Sequence, residues 1–299
     1  GIDSALAACV YSRALGADNT YLISMPGKFN SARTKELAEG MARGLGANFA
    51  LMPVEAAATD LIRRLGKQRF TMCDGSESAL EISGPVRENI YARERMRILA
   101  AVAAALGGIF TCNGNKAECA VGYATFYGDL SGAFAAQADL WKYQVYQASA
   151  YMQTLFPEAP LTDIAAIRPS AELSAAQDIT KGLGDPLIYA YHDYLLRYWV
   201  EQNRDISSVL QLYRLNLLEQ TIGCAPGLTR ELFPQAADFI ADCEYWWRMY
   251  RGIGVAKRIQ APPLLAVSSR PFGEAKPQIQ SPLFLSDSYR KLKQDILSS

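Results

Sequence analysis

The first four residues, Gly1-Ile2-Asp3-Ser4, carry groups suited to binding phosphate. A glycine lets the backbone approach phosphate oxygens closely, and the free N–H groups at a helix start favour negative charge. A Ser hydroxyl adds a donor, and an Asp carboxylate binds divalent cations such as Mg²⁺. Taken alone, so short a pattern is more typical of an ordinary helix N-cap formed by Asp3 or Ser4.

A second polar segment runs from Asn113 through Asn115 to Glu118, where a predicted strand leads directly into a predicted helix. Carboxylates at two strand ends, joined by nucleotide phosphate oxygens, make a plausible Mg²⁺ site, so Glu118 is a candidate to share a metal ion with Asp3. The structural alternative is a capped helix with one exposed Glu.

A third candidate pair lies on a long predicted helix, where Asn89 and Arg93 are four positions apart and therefore face the same way. A planar guanidinium beside an amide suits a carboxylate or phosphate group of a nucleotide. The alternative is a solvated face with ion pairs, since several other charged residues crowd this helix.

The elements that must position these groups alternate along the first half of the chain. The pattern predicts helices over 3–15, 32–45, 55–65 and 85–106, and strands over 21–25, 48–53 and 108–112. We therefore expect an α/β fold with a doubly wound, mostly parallel sheet, in which ligands bind at the carboxyl ends of the strands. Later helices near 186–202 and 228–252 predict a helical C-terminal extension.

Composition narrows the class of protein. Lys and Arg total 30, as do Asp and Glu, so no global field favours nucleic acid or an acidic membrane surface. Apolar runs are too short to span a bilayer. The six cysteines form no C-x-x-C pair, which argues against zinc and for reduced thiols in the cytoplasm. The one histidine, His192, is a candidate base, but a structural or exposed role is favoured.

Longer motifs identify a family. In order and spacing the chain resembles NAD⁺ synthetase, of the PP-loop ATP pyrophosphatase class, through these segments: Glu88-Asn89-Ile90, Ala92-Arg93, Arg95-Met96, Gly114-Asn115-Lys116-Ala117-Glu118, Gly122-Tyr123, Tyr127-Gly128-Asp129-Leu130-Ser131-Gly132, Asp139-Leu140-Trp141-Lys142, Gln144-Val145-Tyr146 and Pro169-Ser170-Ala171-Glu172-Leu173. The resemblance covers residues 1–195, leaving 196–299 as the extension, and implies a Rossmann-like fold of the adenine nucleotide alpha hydrolase type.

The resemblance also implies roles for single residues, which we carry over by position. Gly1, Asp3, Ser4, Asn113, Lys142 and Ser170 are expected to bind ATP, and Asn89, Arg93, Glu118 and Lys257 to bind deamido-NAD. Asp3 and Glu118 are expected to hold Mg²⁺, and Asp3, Glu118 and Lys142 to be the catalytic residues. Asn113, Phe126 and Ala133 depart from the ammonia-only branch and favour the glutamine-dependent one.

The implied activity is the ATP-dependent amidation of deamido-NAD to NAD through an adenylate, with release of AMP and pyrophosphate. In the glutamine-dependent branch an amidase domain precedes the synthetase, so we expect a longer protein in which ammonia comes from glutamine. A homodimer or higher homo-oligomer is implied as well. Two alternatives stay open: another PP-loop adenylating ligase, and a non-catalytic nucleotide-binding domain.

Overall fold

The structure is a computed structural model that describes residues 1–170, 172, 184–272 and 285–298. By packing, the chain divides into two compact units that alternate along the sequence. The first comprises Gly1–Asn113, Thr125–Phe134 and Val145–Asp185, and the second comprises Gly114–Ala124, Ala135–Gln144 and Pro186–Ser299. The resemblance predicts a boundary at residue 195. This boundary is defined by the extent of the sequence motifs and not by packing, and it stays a prediction.

Helices dominate the described residues. They are α1 (Ile2–Leu15), α2 (Ala32–Leu45), α3 (Glu55–Leu65), α4 (Gly84–Ala105), α5 (Lys116–Val121), α6 (Lys142–Leu155), α7 (Leu161–Ala165), α8 (Tyr189–Val200), α9 (Ile206–Arg214), α10 (Leu218–Ile222), α11 (Leu228–Leu232), α12 (Ala236–Arg251), α13 (Ile253–Ile259) and α14 (Asp287–Leu297), with a 3₁₀ turn at Ala17–Asn19. In the described parts of the chain, no helix has both the length and the apolar character needed to cross a bilayer.

The first unit begins with the α/β alternation that the sequence predicts. Strands β1 (Tyr21–Ser24) and β2 (Asn48–Leu51) pair in parallel, with Tyr21 opposite Asn48. Helix α2 connects them; its first turn is capped by the Ser31 hydroxyl, and it ends at Gly46, whose φ of 65° suits a glycine. The predicted α/β alternation is thus present in this part of the unit. Among the described residues, this parallel sheet has two strands.

A hairpin follows between α3 and α4, where no strand was predicted. Strands β3 (Arg69–Thr71) and β4 (Glu77–Ala79) pair antiparallel. The Asp74 carboxylate accepts hydrogen bonds from the Ser76 N–H at 2.9 Å and the Ser76 hydroxyl at 2.6 Å, which closes the turn. These contacts also lower the pKa of Asp74. Local turn chemistry therefore forms this hairpin, since both strands are exposed along their length.

The segment predicted as a strand over 108–112 differs from that prediction. It does not form a regular strand. The Cys112 N–H donates to the Phe134 carbonyl at 3.0 Å, and the Ala133 N–H donates to the Phe110 carbonyl at 2.9 Å. These two hydrogen bonds do not follow the pattern of a parallel or an antiparallel β-ladder. The segment therefore contacts residues 133–134 through irregular hydrogen bonds.

The second unit has an aromatic core between helices α8 and α12. The Trp199 ring lies 5.0 Å from that of Trp247 and 6.3 Å from that of Tyr250. The helix predicted over 228–252 is interrupted between α11 and α12, because Pro234 lacks an N–H and disfavours helical geometry at Phe233.

The C-terminal helix α14 is attached to α12 through one carboxylate. The Glu244 side chain accepts hydrogen bonds from the Tyr289 hydroxyl and the Lys293 ammonium, both at 2.6 Å. Burial acts to raise the pKa of Glu244, but these two donors and Arg248 hold it below the usual value. The C-terminal segment thus contains an ordered helix held by an ion pair.

Candidate active site

The start of α1 holds the predicted phosphate-loop residues in the first unit. Gly1 occupies the N-cap position without a side-chain cap. The Ser4 hydroxyl donates to the Gly1 carbonyl at 2.9 Å, and Asp3 lies in the first helical turn. Neither Asp3 nor Ser4 is therefore the N-cap that the structural alternative required. An acidic group in the first turn also interacts favourably with the helix dipole.

Asn89 and Arg93 contact the same loop of the first unit. The Asn89 side-chain oxygen accepts a hydrogen bond from the Thr125 hydroxyl at 2.7 Å, and the Arg93 Nε donates to the Phe126 carbonyl at 2.9 Å. The Asp129 carboxylate accepts from the Thr125 N–H at 2.8 Å. The two predicted deamido-NAD ligands thus share one face of α4, as their spacing predicts, and that face holds the 125–129 loop.

Ser170 lies beside a contact that the sequence analysis missed. Its hydroxyl accepts a hydrogen bond from the Glu172 N–H at 3.1 Å. The Glu172 carboxylate accepts from the Asn30 side chain at 2.9 Å and from the Ser31 N–H at 3.3 Å. This connects the Ser170 segment to the loop after β1, within the first unit. Ala171 and Leu173 of the same motif lie outside the described residues.

Arg95 lies beside this contact. The Arg95 Nη2 donates to the Asn30 side-chain oxygen at 3.4 Å, and burial lowers the pKa of that guanidinium. Asn113, the remaining predicted ATP ligand of the unit, accepts a hydrogen bond from the Thr111 hydroxyl at 3.1 Å.

In the second unit, Glu118 lies in the first turn of α5. Its Oε2 accepts from the Asn115 N–H at 3.1 Å, while the Asn115 side chain accepts from the Glu118 N–H at 3.1 Å, which is a capping box. The Glu118 Oε1 accepts from the Tyr189 hydroxyl at 3.3 Å. The capped-helix alternative is therefore correct about local geometry, although Glu118 is half-buried rather than exposed.

Lys142 lies in the same unit, at the first residue of α6. Its side chain is 2% exposed, and its Nζ lies 4.9 Å from the centroid of the Tyr189 ring. Tyr189 thus contacts both Glu118 and Lys142, two predicted residues from separate motifs. Tyr189 is not among the predicted site residues, because it lies outside the motifs that carry the resemblance.

A buried charge cluster, which we call the Lys116 cluster, includes residues that lie close in sequence to Glu118 and Lys142. The Lys116 ammonium contacts the Asp139 carboxylate at 2.8 Å, the Glu201 carboxylate at 2.9 Å and the Ser268 hydroxyl at 2.7 Å. The Trp141 indole N–H also donates to Glu201, at 2.7 Å. The cluster joins residues next to Glu118 and Lys142 to the end of α8 and to the 267–268 segment.

The Asp139 carboxylate is fully buried and is held by several hydrogen-bond donors. It accepts from the backbone N–H groups of Val267 at 2.7 Å and Ser268 at 2.6 Å. Burial acts to raise the pKa of Asp139, but the hydrogen bonds from Lys116, Ser268 and Val267 hold it below the usual value. The carboxylate is therefore ionised at neutral pH and balances the buried ammonium.

Lys257 and its neighbour Arg258 close the C-terminal end of α5. The Lys257 ammonium donates to the Gly122 carbonyl at 2.8 Å and also to the Ala124 carbonyl. The Arg258 guanidinium donates to the Ala120 carbonyl, and burial lowers its pKa to about 10. Cations at this end satisfy unpaired carbonyls and interact favourably with the helix dipole. Lys257 thus has a structural contact that the sequence analysis did not foresee.

His192 has a structural environment. The Ile188 N–H donates to its Nδ1 at 2.8 Å, so the ring proton lies on Nε2, which is 3.1 Å from the Asp242 carboxylate. The ring is 1% exposed. These contacts support the structural role favoured by the sequence analysis over a catalytic base.

The residues present are compatible with Mg²⁺ in their donor chemistry. In the described ranges, no three or more His, Cys, Asp or Glu side chains are grouped to hold a metal ion. Asp3 and Glu118 each supply carboxylate oxygens. Mg²⁺ commonly takes one or two protein carboxylates and completes its shell with phosphate oxygens and water.

Comparison with known proteins identifies the family. The family model of NAD synthase matches residues 1–221. The chain belongs to the NAD synthase family. This NAD synthase chain is 33% identical over 234 residues to a glutamine-dependent NAD(+) synthetase of Xanthomonas campestris, which covers 72% of the chain and 40% of that protein. It is 29% identical over 274 residues to the corresponding protein of Aquifex aeolicus, covering 92% of the chain and 42% of the relative.

Two solved structures have a similar fold. A glutamine-dependent NAD(+) synthetase from Cytophaga hutchinsonii aligns with a TM-score of 0.61 and 17% identity, over 93% of the NAD synthase chain and 40% of that protein. An NMN synthetase from Francisella tularensis aligns with a TM-score of 0.53 and 24% identity, over 66% and 73%. At these identities the likeness concerns the fold alone. The chain spans less than half the length of both curated relatives.

Proposed function

We propose that this protein catalyses the ATP-dependent amidation of deamido-NAD to NAD. The observation that carries the proposal is the family match over residues 1–221, which includes every motif quoted above. Contact of Tyr189 with both Glu118 and Lys142 supports it, because two residues expected to act on the same substrates then adjoin one side chain.

The proposed reaction has two steps. A carboxylate oxygen of the nicotinate forms a bond to the α-phosphorus of ATP, and the bond to pyrophosphate breaks. Ammonia then attacks the acyl carbon of the adenylate, loses a proton, and AMP leaves with its new oxygen. Neither step needs a protein nucleophile, which agrees with a chain whose one histidine is buried and hydrogen-bonded. Positioning and charge neutralisation account for the catalysis.

We assign the residues by their motifs. Lys142 places an ammonium against the phosphates, and backbone and side-chain donors of Gly1, Ser4, Asn113 and Ser170 bind ATP oxygens. Asn89, Arg93, Glu118 and Lys257 bind deamido-NAD. Carboxylates of Asp3 and Glu118 hold Mg²⁺, which when bound would neutralise phosphate charge. The catalytic set is Asp3, Glu118 and Lys142.

The proposal extends to the fold and setting. The parallel pairing of β1 and β2 and the likeness to solved structures support a doubly wound, Rossmann-like sheet of the adenine nucleotide alpha hydrolase type. The relatives are named glutamine-dependent, so we propose that ammonia is derived from glutamine. The described cysteines are free thiols, which fits the cytoplasm. We further propose a homodimer.

Product analysis tests the proposal. The purified protein is incubated with deamido-NAD, ATP, Mg²⁺ and either ammonium or glutamine, and nucleotides are separated by chromatography. NAD and AMP are expected in equal amounts. AMP formed only with another carboxylic acid would indicate a different adenylating ligase. ATP binding without AMP formation would indicate a non-catalytic nucleotide-binding domain.

A further inference from the structure

Tyr189 contacts two predicted site residues through different parts of its side chain. Its hydroxyl donates to the Glu118 Oε1 at 3.3 Å, while its ring lies 4.9 Å from the Lys142 Nζ. All three residues belong to the second unit, and Tyr189 is the first residue of α8. One half-buried side chain therefore contacts a residue of α5 and a residue of α6.

The ring contact suits a lysine that must meet an anion. An aromatic face attracts an ammonium through its quadrupole, and it does so without cancelling the positive charge as a carboxylate does. An aromatic neighbour thus orients Lys142 while adding no negative charge that a phosphate would have to displace.

The hydroxyl contact fixes the orientation of a carboxylate. The Glu118 Oε2 is already held by the Asn115 N–H at 3.1 Å within the capping box. The Tyr189 hydroxyl on Oε1 restrains the other oxygen. A carboxylate held at both oxygens keeps a fixed orientation, which favours binding of a cation that demands strict geometry.

We propose that Tyr189 is a positioning residue for the reaction, its hydroxyl orienting Glu118 and its ring orienting Lys142. This inference rests on the proposed function for the identity of the ligands, Mg²⁺ and ATP. The two contacts are chemically separable, because removing the hydroxyl leaves the ring in place.

Two substitutions separate the contacts. Tyr189→Phe removes only the hydroxyl, so we expect the Mg²⁺ concentration for half-maximal activity to rise about 3- to 10-fold, while the KM for ATP at saturating Mg²⁺ changes less than about 2-fold. Tyr189→Leu removes the ring as well, so we expect kcat/KM for ATP to fall a further ~5- to 30-fold. The exposed Tyr151, changed to Phe and to Leu, is the matched control and should alter neither quantity.

A binding readout keeps the inference independent of turnover. ATP binding to the three Tyr189 proteins is measured by calorimetry with and without Mg²⁺. The Leu variant should bind ATP more weakly even without Mg²⁺, and the Phe variant should differ from wild type only when Mg²⁺ is present. Melting curves measured alongside verify that each variant is folded.

The outcomes are distinct. If wild type makes no NAD or AMP, the proposed function fails, whereas the calorimetric pattern still tests Tyr189. The inference itself is overturned if the Phe variant has wild-type Mg²⁺ dependence, or if the Leu variant binds ATP as wild type does. Equal losses in both variants that simply follow a lower melting temperature would also overturn it, because they indicate a structural role only.

Discussion

Replacing Lys116 by Met is expected to destabilise the second unit strongly. Methionine has nearly the volume of the lysine stem but no charge, so the substitution leaves the Asp139 and Glu201 carboxylates facing each other's charge without the ammonium. Breaking a buried ion pair from one side costs about 3–5 kcal/mol. Asp139 keeps donors from Val267 and Ser268, which places the expected loss at the lower end, about 3 kcal/mol.

The location of the tryptophans makes this loss measurable in the relevant unit. The chain has four tryptophans, all of them buried in the second unit: Trp141, Trp199, Trp246 and Trp247. Urea unfolding followed by tryptophan fluorescence therefore reports on that unit. The matched control is Lys291→Met on the exposed surface of α14 in the same unit, where a change within about 0.5 kcal/mol is expected.

A double mutant examines the reason for the loss. Adding Asp139→Asn to Lys116→Met removes one of the two unbalanced charges, so the double variant should be more stable than the sum of the two single losses by over ~1 kcal/mol. Strict additivity, or a Lys116→Met variant that unfolds at the wild-type urea concentration, would refute the conclusion that the cluster is held together by charge.

Two further predictions concern the same unit. Glu244→Gln should lower the free energy of unfolding by about 1–3 kcal/mol at pH 7, whereas Glu231→Gln on the exposed surface should not. The depressed pKa of Glu244 stabilises the fold above the ordinary value of 4.5, so the difference from wild type should shrink as the pH falls through the folded pKa, and a difference that grows in acid would contradict this. Gly122→Ala should cost about 2–4 kcal/mol by urea unfolding, because φ is 66° and a Cβ would lie 2.8 Å from the Gly254 Cα. Gly227→Ala, with φ of 84° and open space around it, should lose only about 1–2 kcal/mol, and equal losses would show that the close approach is unimportant.

Local signals predicted the first helices well. The predicted bounds of α2 and α3 equal those observed, because helix-breaking glycines follow both and Ser31 begins the first. The hairpin of β3 and β4 was missed because its strands are short and exposed, and therefore lack apolar alternation. The break before α12 follows from Pro234, a local signal that was available but outweighed by the apolar pattern on either side.

Site residues could be proposed from the sequence only within the motifs of the family. Family spacing selected Glu118 and Lys142, and each lies in the first turn of a helix. Tyr189 was missed because its importance is a tertiary contact with residues far away in sequence. The structural contacts of Lys257 were missed for the same reason, since no local pattern indicates that its ammonium ends on carbonyls after α5.

Oxygen transfer tests the central claim most directly. Deamido-NAD labelled with ¹⁸O in the nicotinate carboxylate is incubated with the protein, ATP, Mg²⁺ and ammonia, and the AMP is analysed by mass spectrometry. An adenylate intermediate predicts that each AMP formed acquires one labelled oxygen, with one labelled oxygen retained in the NAD amide. AMP without label, or formation of ADP and phosphate instead, would contradict the assignment of this chain as an adenylating amidation enzyme.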